Sequence, residues 1–207
     1  MPRPASGVRT ADAIQKAAAE LFYQHGYEAT TLRQVAAKVG IQVGSLYNHI
    51  DGKDDLLRSI MTGIMADLIG AQKAVINSHE DTIETLRAMM DCHIRFHAQR
   101  ARDVFIGNSE LRSLDKKDRR KVVAQRDEYE QMFRELIDKA GAEGRADVLD
   151  ARLQAYAIVA MGTHVSSWYR PKGSMSLDEI VHVYTVMALR QLGVSESEVS
   201  AAGAAAG

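Results

Sequence analysis

The chain has 207 residues, of which 46% are hydrophobic and 26% are charged, a balance typical of one or two globular domains that excludes global disorder. Lys and Arg total 26 and Asp and Glu total 27, so the net charge of −1 excludes a uniformly basic nucleic-acid binder but not a local basic surface. The single cysteine, Cys92, excludes an intrachain disulfide. No stretch of about 18 apolar residues is present, so we expect a soluble cytoplasmic protein without a membrane partner.

Proline and apolar spacing both favour helices. The three prolines are Pro2, Pro4 and Pro171, and aromatic residues make up only 6% of the chain. Apolar residues recur with the helical spacing of three and four, and no segment alternates long enough to predict a strand. The first helical face consists of Ile14, Ala17, Ala18, Leu21 and Phe22. We therefore predict an all-α fold of eight or nine helices.

Local signals divide the first fifty residues into three helices. Gly26 ends the first, since glycine favours the left-handed conformation that follows a helix. Thr31, placed three residues before Gln34, has capping-box spacing and starts the second, which ends at Gly40. Residues 43–50 are predicted to form the third. Two short helices joined by a glycine-containing turn are a helix-turn-helix, whose second helix can enter the DNA major groove.

Residues 29–53, ATTLRQVAAKVGIQVGSLYNHIDGK, resemble the DNA-binding domain of the TetR family of bacterial transcriptional regulators. The resemblance rests on twelve residues in a fixed order: Thr30, Thr31, Val35, Ala36, Gly40, Ile41, Gly44, Ser45, Leu46, Tyr47, His49 and Lys53. It implies a three-helix DNA-binding domain over residues 1–53 and a larger helical ligand-binding and dimerisation domain over 54–194. The remaining residues, 195–207, are rich in Ser, Glu, Ala and Gly and are predicted to be a disordered tail.

The same resemblance assigns DNA contacts to residues 31–49, which we call the reading head, and to Lys53. Thr31, Tyr47 and Lys53 would bind phosphates, which suit a helix N-terminus, a phenol and an ammonium. Candidates for base edges are Arg33, Gln42, Val43, Gly44, Ser45 and Asn48, while His49 either contacts a phosphate or packs. The chain departs from the family at Ile50, where an aromatic residue is usual, and at Gln42, which replaces a better N-cap. Residues 1–50 carry five Lys and Arg against three Asp and Glu.

The last two long helices, predicted at 146–169 and 176–192, carry apolar residues on more than one face. Such helices must be buried on two sides, either wholly inside one subunit or against a partner. Dimerisation through this pair is what the resemblance implies, and a homodimer matches a palindromic operator in double-stranded DNA.

The larger domain is expected to hold a small-molecule effector. The candidate effector-binding residues are apolar, aromatic or cationic: Met61, Met65, Arg95, Phe96, Phe105, Trp168 and Arg170. The segment SSWYRPKG, residues 166–173, resembles a helix end in TetR-like regulators of lipid and sterol-ring catabolism, some of which sense acyl-coenzyme A thioesters. Alternatively, Trp168 and Tyr169 anchor the dimer and Arg170 caps the C-terminus of the helix. A ligand wedged against the long helix predicted at 53–76 would move the reading head.

Two other classes of protein compete with a regulator. An enzyme is the first, because His93 and His97 lie one turn apart beside Asp91 and Cys92, where they could hold a metal. No third ligand is evident, so we predict polar pocket residues, no metal, no cofactor and no enzyme activity. A helical adaptor protein is the second. The sequence favours a homodimeric, ligand-responsive transcriptional regulator, and within this family a repressor.

Overall fold

The computed structural model describes residues 5–200, with side chains from residue 10 onward. Within this range the chain is all-α and contains no strand, as predicted, but it has ten α-helices rather than eight or nine. In chain order these are α1 (Ala5–His25), α2 (Leu32–Val39), α3 (Val43–Leu46), α4 (Lys53–Asn77), α5 (Thr82–Gln99), α6 (Ala101–Ser109), α7 (Lys116–Ala142), α8 (Ala151–Trp168), α9 (Leu177–Gln191) and α10 (Glu196–Ser200). A short 3₁₀ helix, Leu111–Ser113, precedes α7.

The chain divides into two compact units. The first contains the described residues up to Met65 together with Arg102–Ala124. The second contains Ala66–Ala101 and the residues from Gln125 onward. The three boundaries fall inside α4, after the first residue of α6, and inside α7, so α4 and α7 each contribute several turns to both units.

The core of the first unit joins two distant parts of the sequence. Phe22 from α1, Val35 from α2 and Leu46 from α3 are fully buried in it. The later segment adds Ile106, Leu114 and Val122 to the same cluster. The three N-terminal helices therefore share their hydrophobic core with residues about a hundred positions further along the chain.

The predicted helix ends are confirmed in this unit. Gly26 and Gly40 adopt the left-handed conformation with φ of 80° and 78°. At the start of α2, the Gln34 amide donates to Thr31 Oγ1 at 3.3 Å and the Thr31 amide donates to Gln34 Oε1 at 2.7 Å. This reciprocal capping box satisfies amides that have no partner inside the helix.

The third helix is shorter than the residues 43–50 predicted for it. It ends at Leu46, and residues 47–49 form turns, although the Ile50 amide still donates to the Leu46 carbonyl at 3.1 Å. Gln42 occupies the N-cap position and its side chain makes no capping hydrogen bond. The loss of a good N-cap, expected from the sequence, accompanies this short helix.

The second unit also corrects two predicted boundaries. α8 begins at Ala151 rather than 146, because Asp150 accepts a hydrogen bond from the Leu153 amide at 2.9 Å and caps the helix. The tail predicted to be disordered from residue 195 instead contains α10. Val199 is buried, and Glu198 forms an ion pair with Arg145 at 2.6 Å, which secures the helix. Residues 201–207 lie outside the described residues.

α5 packs against both α8 and α9 in the second unit, and α9 also contacts α10. Within residues 5–200, α4 is the single helix long and apolar enough by composition to cross a membrane, with a mean hydropathy of 1.2. Its apolar residues serve the protein core, since Leu57 and Met61 are buried in the first unit and Leu68 and Ile69 in the second. α4 therefore buries one face inside the protein, and 33% of its apolar window is buried.

Candidate functional site

The reading head presents a row of polar side chains to solvent. Arg33, Gln42, Tyr47, Asn48 and His49 are all exposed, and Tyr47 is 58% exposed. None of these five side chains has a hydrogen bond or ion pair with another described residue. Their donors and acceptors are therefore available to a partner, while the capped α2 and the buried Leu46 hold the backbone beneath them.

Among the other predicted DNA contacts, several side chains are partly buried or already hydrogen-bonded within the protein. Gly44 is exposed, but Ser45 is half-buried and Val43 is half-buried against the core of the first unit. The Thr31 hydroxyl takes part in the capping box, accepting from the Gln34 amide and donating to Gln34 Oε1 at 2.9 Å. Thr31 therefore stabilises the start of α2.

Lys53 ties the start of α4 to the turn between α1 and α2. Its ammonium donates to the carbonyl oxygens of Tyr27, Glu28 and Thr30 at 3.0, 3.3 and 3.2 Å. It also lies 4.2 Å from the centre of the Tyr27 ring. An ammonium has three N–H donors, so all of them are used inside the protein.

Tyr27 is the centre of this junction, and sequence reasoning missed it. Its hydroxyl donates to Asp54, its amide donates to a carboxylate oxygen of Glu110 at 3.4 Å, and its ring packs edge-on against Phe22 at 5.2 Å. Burial and the hydrogen bond to Asp54 raise the pKa of Tyr27. A signal was present, because an apolar residue directly after Gly26 is typical of a chain folding back onto the helix it leaves.

The predicted effector residues in the first unit do not converge on a site. Met61 is fully buried in the core and Met65 is half-buried. Phe105 is 48% exposed and packs edge-on against Tyr23, with ring centres 5.2 Å apart.

In the second unit, the predicted effector cations already have partners. Arg95 forms ion pairs with Asp91 at 2.9 Å and Asp178 at 2.6 Å. Arg170 donates to the carbonyl of Tyr169 at 2.8 Å, which is the capping interaction of the alternative interpretation. The guanidinium of Arg100 lies 4.8 Å from the Phe96 ring centre.

His93 and His97 lie in a buried hydrogen-bonded network, which we call the polar cluster: Gln72, His93, His97, Tyr129 and Thr163. Tyr129 accepts from Gln72 Nε2 at 3.1 Å and donates to His93 Nδ1 at 2.5 Å. His93 Nε2 donates to a backbone carbonyl of α8 at 3.1 Å. Thr163 donates to His97 Nε2 at 3.4 Å, and His97 Nδ1 donates to the His93 carbonyl at 2.7 Å. Because a carbonyl oxygen can only accept a hydrogen bond, the proton is on Nε2 in His93 and on Nδ1 in His97.

Burial sets the charge state of this cluster. Desolvation lowers the pKa of His93 well below its ordinary value and that of His97 to about 4, and it raises the pKa of Tyr129. The imidazoles are therefore neutral near pH 7. In the part of the chain with described side chains, no three His, Cys, Asp or Glu residues are placed to hold a metal. Burial also raises the pKa of the neighbouring Cys92 thiol, so it is not an activated nucleophile.

Gly162 makes room for this cluster on α8. A Cβ atom at this position would lie 2.3 Å from Cδ2 of His93, closer than any two unbonded atoms pack. A glycine inside an otherwise apolar helix was the available sequence signal, since such a residue usually allows a close approach.

α8 and α9 expose an apolar surface. Its members lie on one side of each helix, with exposed fractions from 37% for Tyr156 to 63% for Leu153. They are Leu153, Tyr156, Trp168, Val183 and Met187. A cavity of about 250 Å³ opens beside it, with a lining of Asp127, Glu130, Gln131, Arg134, Arg152, Ala155 and Tyr156.

Comparisons with known proteins agree with this architecture. Residues 14–60 match the family model described as bacterial regulatory proteins of the tetR family, and residues 79–192 match the tetracyclin repressor-like C-terminal domain. The chain is 28% identical to the transcriptional repressor KstR2 of Rhodococcus jostii, covering 83% of this chain and 85% of that protein.

Solved structures give the same result. A tetR-family regulatory protein from Rhodococcus RHA1 has a TM-score of 0.85 at 26% identity, covering 91% of this chain and 99% of that one. AibR in complex with isovaleryl coenzyme A and operator DNA has a TM-score of 0.80 at 25% identity, covering 87% and 98%.

The all-helical fold and its exposed reading head define a helix-turn-helix transcriptional regulator. The two family matches together cover most of the chain, and the similar proteins are regulators rather than enzymes. The chain belongs to the TetR family of bacterial regulatory proteins.

Proposed function

We propose that the chain is a homodimeric repressor that binds a palindromic operator and is released from it by a small hydrophobic or acyl-coenzyme A-like molecule. The observation that carries this proposal is the row of exposed, unpaired polar side chains on the reading head. Polar groups on a rigid helix-turn-helix exchange water for base edges and phosphates at low cost in conformational entropy. Residues 1–53 would form the DNA-binding domain and residues 54–194 the effector-binding and dimerisation domain.

Roles within the reading head follow from exposure. Gln42 and Asn48 carry amides that can pair with adenine, Arg33 can pair with guanine, and Tyr47 can donate to a phosphate. Ser45, Val43 and Gly44 would allow α3 to lie close to the bases, with His49 at the phosphate backbone. We assign Thr31 and Lys53 a positioning role, because their polar groups already hold α2 and the turn before it.

The exposed surface of α8 and α9 supports the dimer. An apolar surface on two adjacent helices favours burial against an identical copy, because a two-fold axis brings the same surface together twice. Two subunits would then present two reading heads to the two halves of a palindrome.

The proposed class of effector is supported by the similarity of the chain to a solved regulator complex. AibR, whose structure contains isovaleryl coenzyme A and operator DNA, is similar over nearly its whole length. Its solved complex makes an acyl-coenzyme A thioester the first class of effector to test here. Within the second unit, Phe96 and Trp168 are the candidates to line the acyl site, and Arg95 and Arg170 would have to leave their present partners to bind phosphates. Such a regulator works in the cytoplasm, where operator and metabolite meet.

The first experiment is binding of the purified protein to a duplex from the region upstream of its own gene, with increasing salt and a scrambled duplex as control. We expect selective, salt-sensitive binding by a dimer. The same assay then screens acyl-coenzyme A esters for release. Failure with this duplex and with duplexes selected from a random pool would favour the helical adaptor protein.

A further inference from the structure

The first unit contains a second region rich in positive charge, far from the reading head in sequence. Residues 111–121, LRSLDKKDRRK, hold six Lys and Arg and two Asp, for a net charge of +4. The whole stretch of residues 1–50 has a net charge of only +2. We call residues 111–121 the basic segment.

Most cations of the basic segment have no partner in the protein. Lys121 forms an ion pair with Asp118 at 2.7 Å. The other five are exposed and have no ion pair or hydrogen bond through their side chains with any residue between 10 and 200: Arg112, Lys116, Lys117, Arg119 and Arg120. Four of these lie at the beginning of α7, where the helix dipole disfavours positive charge. These four cations therefore do not stabilise the helix, and helix formation does not explain why they are present.

Contacts hold the basic segment in the same compact unit as the reading head. Leu114, inside the segment, and Val122, directly after it, are buried in the core of that unit. Asp118 forms an ion pair with Arg58 of α4 at 3.4 Å, and Arg58 also pairs with Asp55.

Asp55 extends this connection to the end of the reading head. Its carboxylate accepts a hydrogen bond from the amide of Asp51 at 3.1 Å. Asp51 follows Ile50, which is buried directly after the exposed Tyr47, Asn48 and His49. A continuous series of polar contacts thus joins the basic segment to the end of the reading head.

We propose that the basic segment is a second DNA-contacting surface, which binds phosphates of the duplex flanking the half-site that the reading head occupies. The inference rests on the proposed function. DNA is the partner that fits, because a group of unpaired cations on a protein of net charge −1 complements a regular line of phosphates. The proposed contacts are to phosphates, which carry no sequence information, so the segment adds affinity and salt dependence rather than sequence preference.

The test compares two duplexes carrying a site that the wild-type protein has selected from a random pool. The short duplex ends at the outer edges of the two half-sites, and the long duplex adds about 10 base pairs of arbitrary sequence, one helical turn, on each side. For the wild type we expect at least tenfold tighter binding to the long duplex at low salt, and a steeper salt dependence. Equal binding to both duplexes would overturn the inference without any variant.

A variant with Lys116→Ala, Lys117→Ala, Arg119→Ala and Arg120→Ala tests the residues themselves. It should bind both duplexes alike, and its salt slope on the long duplex should fall by up to about 7, from about 0.9 per phosphate contact in each of two subunits. It should keep the wild-type preference for the selected site. Because these side chains are exposed and oppose the helix dipole, it should unfold no earlier than the wild type.

The matched control removes four exposed cations of the second unit, through Lys73→Ala, Arg134→Ala, Lys139→Ala and Lys172→Ala. It has the same net charge as the first variant and should retain the wild-type response to duplex length. Equal losses in both variants would mean that only total charge matters and would overturn the inference. Selection of no duplex by the wild type would overturn the proposed function and this inference together, whereas selection without a length effect would overturn this inference alone.

Discussion

The reading head and the polar cluster are built from the same kinds of side chain in opposite surroundings. Tyr47 is 58% exposed and its hydroxyl has no partner, whereas Tyr129 is 3% exposed and its hydroxyl both accepts and donates a hydrogen bond. His49 is exposed, whereas His93 is fully buried with both ring nitrogens bonded.

The difference shows that residue type alone does not identify a binding site. A buried polar group must be paired within the protein, since leaving it unpaired costs about 1–3 kcal/mol. The cluster meets this requirement at its groups other than Gln72 Oε1, and its bonds link α4, α5, α7 and α8. An exposed polar group loses nothing by remaining unpaired in water, and it is available to DNA.

The largest effect that tests this contrast is expected at Gly162. Replacement by Ala should push the His93 ring out of the cluster and lower the free energy of unfolding by about 4 kcal/mol, from overpacking and lost hydrogen bonds. Urea unfolding measures this change. Gly70→Ala is the matched control, because nothing lies within 4 Å of its added Cβ. It should be neutral or stabilising, by up to about 1 kcal/mol. Equal stability of the two variants would contradict the tightly packed cluster.

Acid should weaken the second unit through the same histidines. His97 has a pKa of about 4 when folded and an ordinary value of 6.5, so the unfolded chain binds the additional proton between these limits. The contribution of His97 to the free energy of unfolding is therefore fully present above about pH 6.5. It should be lost, by about 3 kcal/mol, as the pH drops to about 4. Unfolding at several pH values checks this. His97→Gln should flatten the dependence. An unaltered pH profile in His97→Gln would refute the assignment.

In the reading head, Asn48→Ala should weaken operator binding by about 2 kcal/mol for each lost pair of base contacts and relax the preference at one base position. The salt slope and the stability should not change, because the amide contacts neither a phosphate nor the protein. Titration against the selected duplex and its single-base variants measures this. Gln24→Ala, an exposed amide on α1, is the control. A uniform loss across all sequences would contradict base reading.

Lys53→Met distinguishes positioning from phosphate binding. Loss of three hydrogen bonds to carbonyl oxygens should lower the free energy of unfolding by about 1.5 kcal/mol. Operator affinity should fall with an unchanged salt slope. A slope smaller by about 2, one phosphate per subunit, together with unchanged stability, would instead identify Lys53 as a direct phosphate ligand.

The smallest effect provides the most direct comparison of the two regions. Tyr47→Phe should weaken operator binding by about 1 kcal/mol per half-site through loss of one hydrogen bond, with unchanged stability. Tyr129→Phe should do the reverse, lowering stability while leaving operator affinity intact. Binding and unfolding measured on both variants complete the comparison. A loss of stability in Tyr47→Phe would place that hydroxyl among structural groups.

Much of the fold was predictable because its signals are local. The left-handed glycines, the capping box of Thr31 and Gln34, and the regular apolar spacing each act within a few residues, so α2 and α4 were located closely. The exposed amides of Gln42 and Asn48 were also predictable, since the reading head resembles a known family at fixed positions. The α10 helix was missed because it depends on contacts with distant residues, namely the burial of Val199 and the ion pair of Glu198 with Arg145.

The amino-acid sequence by itself determined the helical class, the family and the reading head. Only the tertiary structure decided which polar residues are available. It showed that the Lys53 ammonium donates to three carbonyl oxygens, and that both ring nitrogens of the buried His93 are hydrogen-bonded within the protein. It also placed the basic segment in the same unit as the reading head. These facts depend on contacts between residues far apart in the chain, and such contacts have no periodic signature in a single sequence.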